Sequence, residues 1–194
     1  MTTMTFDQQV AALLERGLAG NEATLRATLE CARPASPEER SVLAVSRDVV
    51  PVADAAARIE RRERPVVLGH LTPDELAAFV PIDSVSLPDA PAHLAIDVDL
   101  GASSRNVPPE EALRHILGAG RSPLTIDEGV AVMLQQPEAI APNWGFSMAG
   151  SRRGDQRVPA FWISEGQPKL GWCWDGNPHT WLGTASCARR ASGA

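Results

Sequence analysis

Apolar residues at helical spacing predict two helices in the first thirty positions. Thr5 and Gln8 have the spacing of a capping box, which marks the start of the first helix. Its apolar face consists of Phe6, Val10, Leu13, Leu14 and Leu18. Asn21 is suited to cap a second helix, which carries Leu25 and Leu29 on one side.

This pattern predicts a helical N-terminal arm over residues 1–33. Gly20 ends the first helix in this prediction. Pro34 and Pro37 break the periodicity after the second helix, because each proline removes a backbone donor and restricts the backbone. We expect this arm to be loosely attached to a single α+β domain over residues 41–190.

Two short apolar runs with a helical pattern between them predict a βαβ unit over residues 41–69. The runs SVLAV and PVVLG are typical of strands, and ADAAARIERR is typical of a helix. Arg61, Arg62 and Arg64 would then lie near the end of this helix, where cations complement the helix dipole. Such a cluster is normally a solvated face.

The next segments predict a short helix followed by a strand. Thr72, Pro73 and Glu75 are typical of a capped helix start. The run LAIDVDL alternates apolar and acidic residues. This pattern is typical of a strand with one solvent-exposed face, which would carry Asp97 and Asp99. Two carboxylates at this spacing suit acid–base chemistry or a hard cation, and a solvated strand face is the alternative.

Two further helices are predicted in the segments PPEEALRHILGAG and TIDEGVAVMLQQP. The first has prolines and acids in its first turn, Leu113 on its apolar face, and a glycine end. The second begins with a capping box formed by Thr125 and Glu128. Glu128 has the chemistry of a catalytic acid, but its position in the box assigns it a structural role.

The last third of the chain changes to strand patterns, which predict a three-stranded antiparallel meander. Its strands are WGFSMAG, RVPAFWIS and PKLGWCWD, with loops at residues 151–156 and 165–168. In this register Phe161 has Phe146 and Trp172 opposite it on the neighbouring strands.

The two faces of this meander differ in side-chain size. On the aromatic face Ile163 lies opposite Leu170. That face is completed by Trp144, Met148 and Trp174. The other face carries small residues, with Trp162 as its only bulky member. We expect packing to seal the aromatic face and helices to cover the small-residue face. The fold class is α+β, with a helical N-terminal arm, a small mixed α/β centre and this meander backed by helices.

Composition and charge narrow the classes of function. The net charge of −6 opposes general binding to nucleic acid, which requires many uncompensated lysines and arginines. The first residues lack a basic stretch followed by an apolar one, and no apolar run is long enough to span a bilayer. We therefore expect a cytoplasmic protein without membrane contact. Cys31, Cys173 and Cys187 are few and widely spaced, which predicts free thiols.

The stretch GWCWDGNPHTWLG concentrates the candidate chemistry. An imidazole close to a thiol stabilises the thiolate, so His179 would activate Cys173 while Asp175 orients the ring. A cysteine between two tryptophans of a strand is also typical of an inert core residue. Cys173, His179 and Cys187 give a further alternative, a metal site, although their spacing matches no common zinc motif.

Recognition without catalysis is the first hypothesis for function. Its contacts would come from Trp181, Asn177, Arg152, Arg153 and Arg157. We expect a domain that binds a small molecule or a protein partner and that needs no cofactor. The alternatives are a small enzyme of specialised metabolism and a metal-binding protein, each using the residues named above.

Three blocks of the sequence resemble an uncharacterised bacterial family known only as a domain of unknown function. These blocks are GRSPLTIDEGVAV, GSRRGDQRVPAFWIS and PKLGWCWDGNPHTWLGTAS. The resemblance covers residues 94–190 well and the first ninety loosely. It implies no activity, substrate, cofactor or catalytic residue. Members of the family often have a cysteine where this chain has Gly145, which argues against a pairing of two cysteines in the sheet.

Overall fold

The computed structural model describes residues 3–18 and 21–193, so the predicted helix end at Gly20 lies outside the described residues. Its helices are α1 (Phe6–Glu15), α2 (Glu22–Glu30), α3 (Val52–Ala56), α4 (Pro73–Ala77), α5 (Pro109–Gly118) and α6 (Ile126–Gln135). Its strands are β1 (Val42–Val45), β2 (Glu60–Arg61), β3 (Arg64–Pro65), β4 (Val67–Leu68), β5 (Val80–Pro81), β6 (Ala92–Ile96), β7 (Ser122–Pro123), β8 (Gly145–Ser147), β9 (Ser151–Arg152), β10 (Arg157–Ser164), β11 (Gln167–Trp174), β12 (Leu182–Thr184), β13 (Ser186–Cys187) and β14 (Arg189–Ala191). None of the described helices is long and apolar enough to cross a bilayer.

The strands form two larger sheets and three two-stranded ribbons. One sheet is antiparallel with the order β1-β6-β14. The other is mixed with the order β12-β8-β10-β11-β4, antiparallel at its centre and parallel at both edges. The ribbons are β13-β7, β2-β3 and β5-β9. These helices and mainly antiparallel sheets confirm the predicted α+β class.

The predicted meander is the centre of the five-stranded sheet, where β8, β10 and β11 run antiparallel. Phe146 lies opposite Phe161, as predicted. The second pairing is displaced by two residues, because Phe161 lies opposite Leu170 and not opposite Trp172. The cause is a tighter hairpin, in which only Glu165 and Gly166 connect the strands, with left-handed φ values of 53° and 76°.

A shift of two residues leaves every side chain on its predicted face, because side chains alternate with a period of two. Phe146, Phe161 and Leu170 belong to the main apolar core. The opposite face forms a smaller cluster of Ala149, Val158, Ala160, Cys173 and Leu182. Leu113 of α5 packs on this cluster together with Trp162 and Trp181. Helix α5 therefore covers this face of the sheet as expected, and the indole rings of Trp162 and Trp181 complete the cover.

The expectation that packing seals the aromatic face is wrong for its outermost ring. Trp174 is 42% exposed, whereas Trp144 and Trp172 are partly buried against the core. The Trp172 and Trp174 rings meet edge to face with their centroids 5.0 Å apart. Trp174 lies at the end of β11, beyond the segment that pairs with β4, and the core therefore leaves it open to solvent.

The three predicted capping boxes are all present. They are Thr5 with Gln8 at α1, Thr72 with Glu75 at α4, and Thr125 with Glu128 at α6. Asn21 caps α2 as predicted. These starts were predictable because a capping side chain and its target lie within one turn of sequence.

The N-terminal helices are attached closely, which corrects the expected loose attachment. Val10 and Leu13 of α1 and Leu29 of α2 are buried in the same core as the sheets. Gln9 is fully buried, where its side chain accepts from the backbone N–H of Leu43 at 2.7 Å. The arm therefore shares the core of the main body, while its boundary as a separate unit stays a prediction.

The predicted βαβ unit is wrong. β1 pairs antiparallel with β6, whereas β4 pairs with β11 in the other sheet. α3 ends at Ala56, and the expected helix end is replaced by the β2-β3 hairpin. Arg61 is therefore not solvated: its side chain is 6% exposed and donates to Glu138 at 2.5 Å. Pairing with distant strands decided this segment, and local propensity carries no information about such partners.

The segment predicted as a strand with one solvent-exposed face belongs to β6 only as far as Ile96. Every residue of β6 is buried: β1 and β14 flank its edges, α2 contacts it, and His93 bonds to Glu128 of α6. After the strand Asp97 is half-buried and Asp99 is exposed.

Asp97 follows the strand with a left-handed φ of 55° and pairs with Arg121 at 2.7 Å. The hydrogen bond from Arg121 lowers the pKa of Asp97. Asp99 instead accepts the backbone N–H of Gly101, so the two carboxylates serve separate local contacts.

Candidate functional site

The loop between β11 and β12 carries the predicted site residues Asp175, Asn177, His179 and Trp181. The rings of His179 and Trp181 are tilted against each other with centroids 5.1 Å apart. Burial lowers the pKa of His179, which favours its uncharged form. The backbone N–H of Glu110 donates to the backbone carbonyl oxygen of Asp175 at 3.0 Å, and this hydrogen bond links the loop to α5. A role of this loop in recognition stays a prediction.

Cys173 lies in the smaller apolar cluster rather than in a polar site. It is 8% exposed, and within residues 3–18 and 21–193 no hydrogen bond joins its thiol to His179. Burial raises the pKa of the Cys173 thiol to about 12. The thiolate, which is the nucleophilic form, is therefore strongly disfavoured at neutral pH.

We expect one of the three thiols to react in the folded protein. Cys31 is exposed, whereas Cys173 and Cys187 are buried and have pKa values raised to about 12 and about 11 by burial. Titration with an aromatic disulfide at neutral pH should therefore show one rapid equivalent, and the other two only after unfolding. A Cys31→Ser variant should lose the rapid phase. Prompt modification of Cys173 in the native protein would restore the hypothesis of a thiol nucleophile.

Two of the three turn arginines, Arg153 and Arg157, lie beside the carboxylate of Asp155 at 3.5 and 3.7 Å, and each of the three has further contacts of its own. Arg152 donates to two backbone oxygens of its own turn at 2.9 and 3.0 Å. Arg153 pairs with Glu75 of α4 at 3.1 Å. The guanidinium of Arg157 lies 4.6 Å from the centroid of the Trp172 ring. This arrangement does not favour the binding of one carboxylate or phosphate by all three arginines together.

The residues suggested for a metal site are not brought together. Cys187 lies in the main core, whereas Cys173 lies in the cluster on the other face of the five-stranded sheet. In the part of the chain that the structure describes, no three histidine, cysteine, aspartate or glutamate side chains are placed to hold a metal ion.

A buried ionic network at the start of α6 was missed as a site by the sequence analysis. Glu128 is fully buried and accepts from Nε2 of His93 at 3.0 Å. Arg190 of β14 donates to both oxygens of the same carboxylate at 2.6 and 2.8 Å. The backbone N–H of Thr125 adds a hydrogen bond at 2.8 Å. The capping role predicted for Glu128 is confirmed, and it is only one part of what this carboxylate does.

The environment of Glu128 favours its ionised form. Burial by itself would raise the pKa of this carboxyl, but hydrogen bonds from His93 and Arg190 outweigh burial and lower the pKa to about 2. Burial would lower the pKa of Arg190, and its hydrogen bonds to Glu128 raise it instead. The network therefore holds a permanent anion, neutralised by a permanent cation, behind the imidazole of His93.

The neighbouring residue Asp127 has the opposite perturbation. Burial raises the pKa of Asp127, although Arg47 donates to both of its oxygens at 3.2 and 2.5 Å. Arg47 also donates to the backbone oxygens of Phe79 and Ala77. Two adjacent carboxyls with pKa values displaced in opposite directions are a feature of functional sites.

His93 and the paired Arg47 and Asp127 line one cleft, which we call the polar cleft. Its volume is about 210 Å³, and its walls are Val45, Ser46, Arg47, Asp48, Pro81, Leu87, Pro88, Ala90, His93 and Asp127. It lies where β1 ends, between the start of α6 and the connector before β6. Five of these ten wall residues are apolar and five are polar or charged, so a small ligand in the cleft would meet both hydrocarbon surface and hydrogen-bonding groups.

His93 is a polar wall residue with an unused ring nitrogen. Its side chain is 5% exposed, and its Nε2 is occupied by Glu128. An ionised carboxylate only accepts, so Nε2 of His93 carries the proton of this contact. In the uncharged imidazole Nδ1 is then an acceptor. No hydrogen bond to Nδ1 occurs among the described residues.

The sequence contains weak signals for this site. His93 precedes Glu128 by 35 positions, and Arg190 follows it by 62. His93 interrupts an otherwise apolar buried strand, which is a signal in retrospect because an unpaired polar group there would be costly. Arg190 has no local signal, since its partner lies in another part of the chain.

The fold and this cleft define a small α+β protein with a buried ionic network beneath a polar cleft. The model of DUF5701, a family of unknown function, matches residues 5–193, so the chain belongs to that family. This result confirms the predicted membership of an uncharacterised family and extends it over the first ninety residues. No curated protein matches the chain, and no solved structure matches it.

Proposed function

We propose that this protein binds a small molecule in the polar cleft and that His93 is the residue that orients the ligand. The observation that supports the proposal is the buried imidazole of His93, whose Nδ1 has no partner within the described residues. A ligand that donates a hydrogen bond to Nδ1 would use this acceptor and be oriented by it.

The ionic network favours a binding role for His93 over a purely structural one. Arg190 already neutralises the charge of Glu128, and Thr125 adds a further hydrogen bond, so the imidazole is not needed as the counter-ion. The contact with His93 therefore sets the tautomer and the orientation of the ring, as a supporting carboxylate does in binding sites. A rigid acceptor beside apolar wall residues gives directional recognition at a low cost in side-chain entropy.

The loop from Asp175 to Trp181, with Arg152, Arg153 and Arg157, remains a second proposed recognition surface. The half-buried rings of His179 and Trp181, which lie tilted against each other, support this proposal. We place the protein in the cytoplasm and expect neither nucleic acid nor a membrane as its partner, in keeping with the net charge of −6 and three free cysteines.

A fragment screen followed by NMR would test this proposal and separate the two surfaces. Fragments that bind the polar cleft should shift the imidazole signals of His93 and the amide signals of Ser46 and Ala90. The indole N–H signal of Trp181 reports on the loop surface within the same spectrum. Shifts confined to Trp181 and its neighbours would contradict the assignment of the cleft, and no saturable shift at either place would contradict small-molecule binding altogether.

A further inference from the structure

We propose that the ligand of the polar cleft is a small organic amine, bound as its ammonium cation. This inference rests on the proposed function and names the chemical class that the same cleft would recognise. It follows from the charges of the walls, from the number of acceptors and from the apolar surface beside them.

The cleft has no uncompensated positive charge for an anion. The guanidinium of Arg47 is engaged by both oxygens of Asp127 and by the backbone oxygens of Phe79 and Ala77. Arg190 lies behind the cleft wall, with its charge neutralised by Glu128. A carboxylate or phosphate ligand would therefore be desolvated without gaining an ion pair, which is unfavourable.

The unpaired charges around the cleft are negative. Asp48 lines the wall, and no cation lies within ion-pairing distance of it among the residues that the structure describes. Its carboxylate contacts only the neighbouring hydroxyl of Ser46, at 3.5 Å. Asp89, in the connector that forms the opposite wall, is exposed and is likewise unpaired within the described residues. A cationic ligand is therefore complementary to this rim.

The acceptors suit an ammonium group better than a metal ion. An ammonium nitrogen has three donors, and three of the wall residues, His93, Asp48 and Ser46, carry acceptor atoms. A hard metal ion needs several oxygen ligands at short distance, and the described residues provide no group of three ligating side chains.

The rest of the wall suits a hydrocarbon body. Val45, Pro81, Leu87, Pro88 and Ala90 are the apolar residues of the lining. Burial of an alkyl or aryl group against them would supply the affinity, and the polar acceptors would supply the orientation.

Three probes with the same phenylethyl body test this inference: phenethylamine, phenethyl alcohol and hydrocinnamate. Each is titrated into the full-length protein while the NMR signals of His93, Ser46 and Ala90 are followed. We expect the amine to bind with a dissociation constant about tenfold below that of the carboxylate, and the alcohol to lie between them.

An Asp48→Asn variant should reduce the preference for the amine by about two- to fivefold, as expected of an exposed ion pair, and leave binding of the alcohol unchanged. Asp54→Asn is the matched control, because it removes an exposed aspartate of α3 that does not line the cleft. Equal or tighter binding of the alcohol or carboxylate at the cleft would overturn the amine inference and leave the proposed function standing. Absence of saturable shifts with all three probes would overturn both.

Discussion

Replacement of Glu128 by glutamine is expected to lower the free energy of unfolding by about 3–5 kcal/mol, the usual cost of leaving one member of a buried ion pair uncompensated. The side chain of Arg190 is 4% exposed and would keep its charge without a counter-ion. Glutamine preserves the size of the side chain, so loss of packing contributes little. Urea denaturation followed by circular dichroism measures the effect.

Glu22→Gln is the matched control for this change. Glu22 pairs with Arg26 at 3.2 Å, and the two side chains are 70% and 53% exposed, so its loss should cost less than about 1 kcal/mol. Replacement of Arg190 by methionine in the Glu128→Gln background should recover part of the lost stability, because the unpaired charge is then removed. A loss below 1 kcal/mol for Glu128→Gln would show that the network is not the buried ionic centre described above.

Replacement of Phe161 by alanine is expected to destabilise the protein by about 3–5 kcal/mol, the range for a phenylalanine removed from a closed core. Phe161 is fully buried at the centre of the five-stranded sheet, and its ring lies 5.7 Å from that of Phe146 on the neighbouring strand. The change removes apolar burial and leaves a cavity that the strands on either side cannot close. Thermal and urea unfolding of the variant measure the cost.

Trp174→Ala is the control variant, because Trp174 lies on the same face of the sheet as Phe161 but at its exposed end. Its ring is 42% exposed, and its contacts are with Trp172 and, through the guanidinium, with Arg157. We expect a cost of about 1–2.5 kcal/mol, the sum of one aromatic pair and one exposed cation–π contact. Equal losses for Phe161→Ala and Trp174→Ala would contradict the division of this face into a sealed centre and an open end.

The extent of prediction from sequence differs between elements for a physical reason. The capping boxes at Thr5, Thr72 and Thr125 were predictable because donor and acceptor lie within one helical turn. The faces of β10 and β11 were predictable because the alternation of side chains is a local property. The predicted register of β10 and β11 was wrong by two residues. The length of the turn sets the register, and the Glu165-Gly166 turn is shorter than the predicted loop.

The candidate site was less predictable than the fold. Cys173, His179 and Asp175 are close in sequence, but the structure buries the thiol in an apolar cluster and joins it to His179 by no hydrogen bond within the described residues. The ionic network behind the polar cleft shows the opposite relation between sequence and structure. His93, Glu128 and Arg190 come from three distant segments, and only the packing of β6, β14 and α6 brings them together.

The sequence by itself determined the α+β class, the helix starts and the two faces of the C-terminal strands, since each depends on side chains a few positions apart. Tertiary structure decided which strands pair, how closely the N-terminal helices attach and where the ionisable groups meet. Those outcomes depend on contacts between distant segments. The free energy of burying a charge such as Glu128 is set by partners that no local pattern identifies.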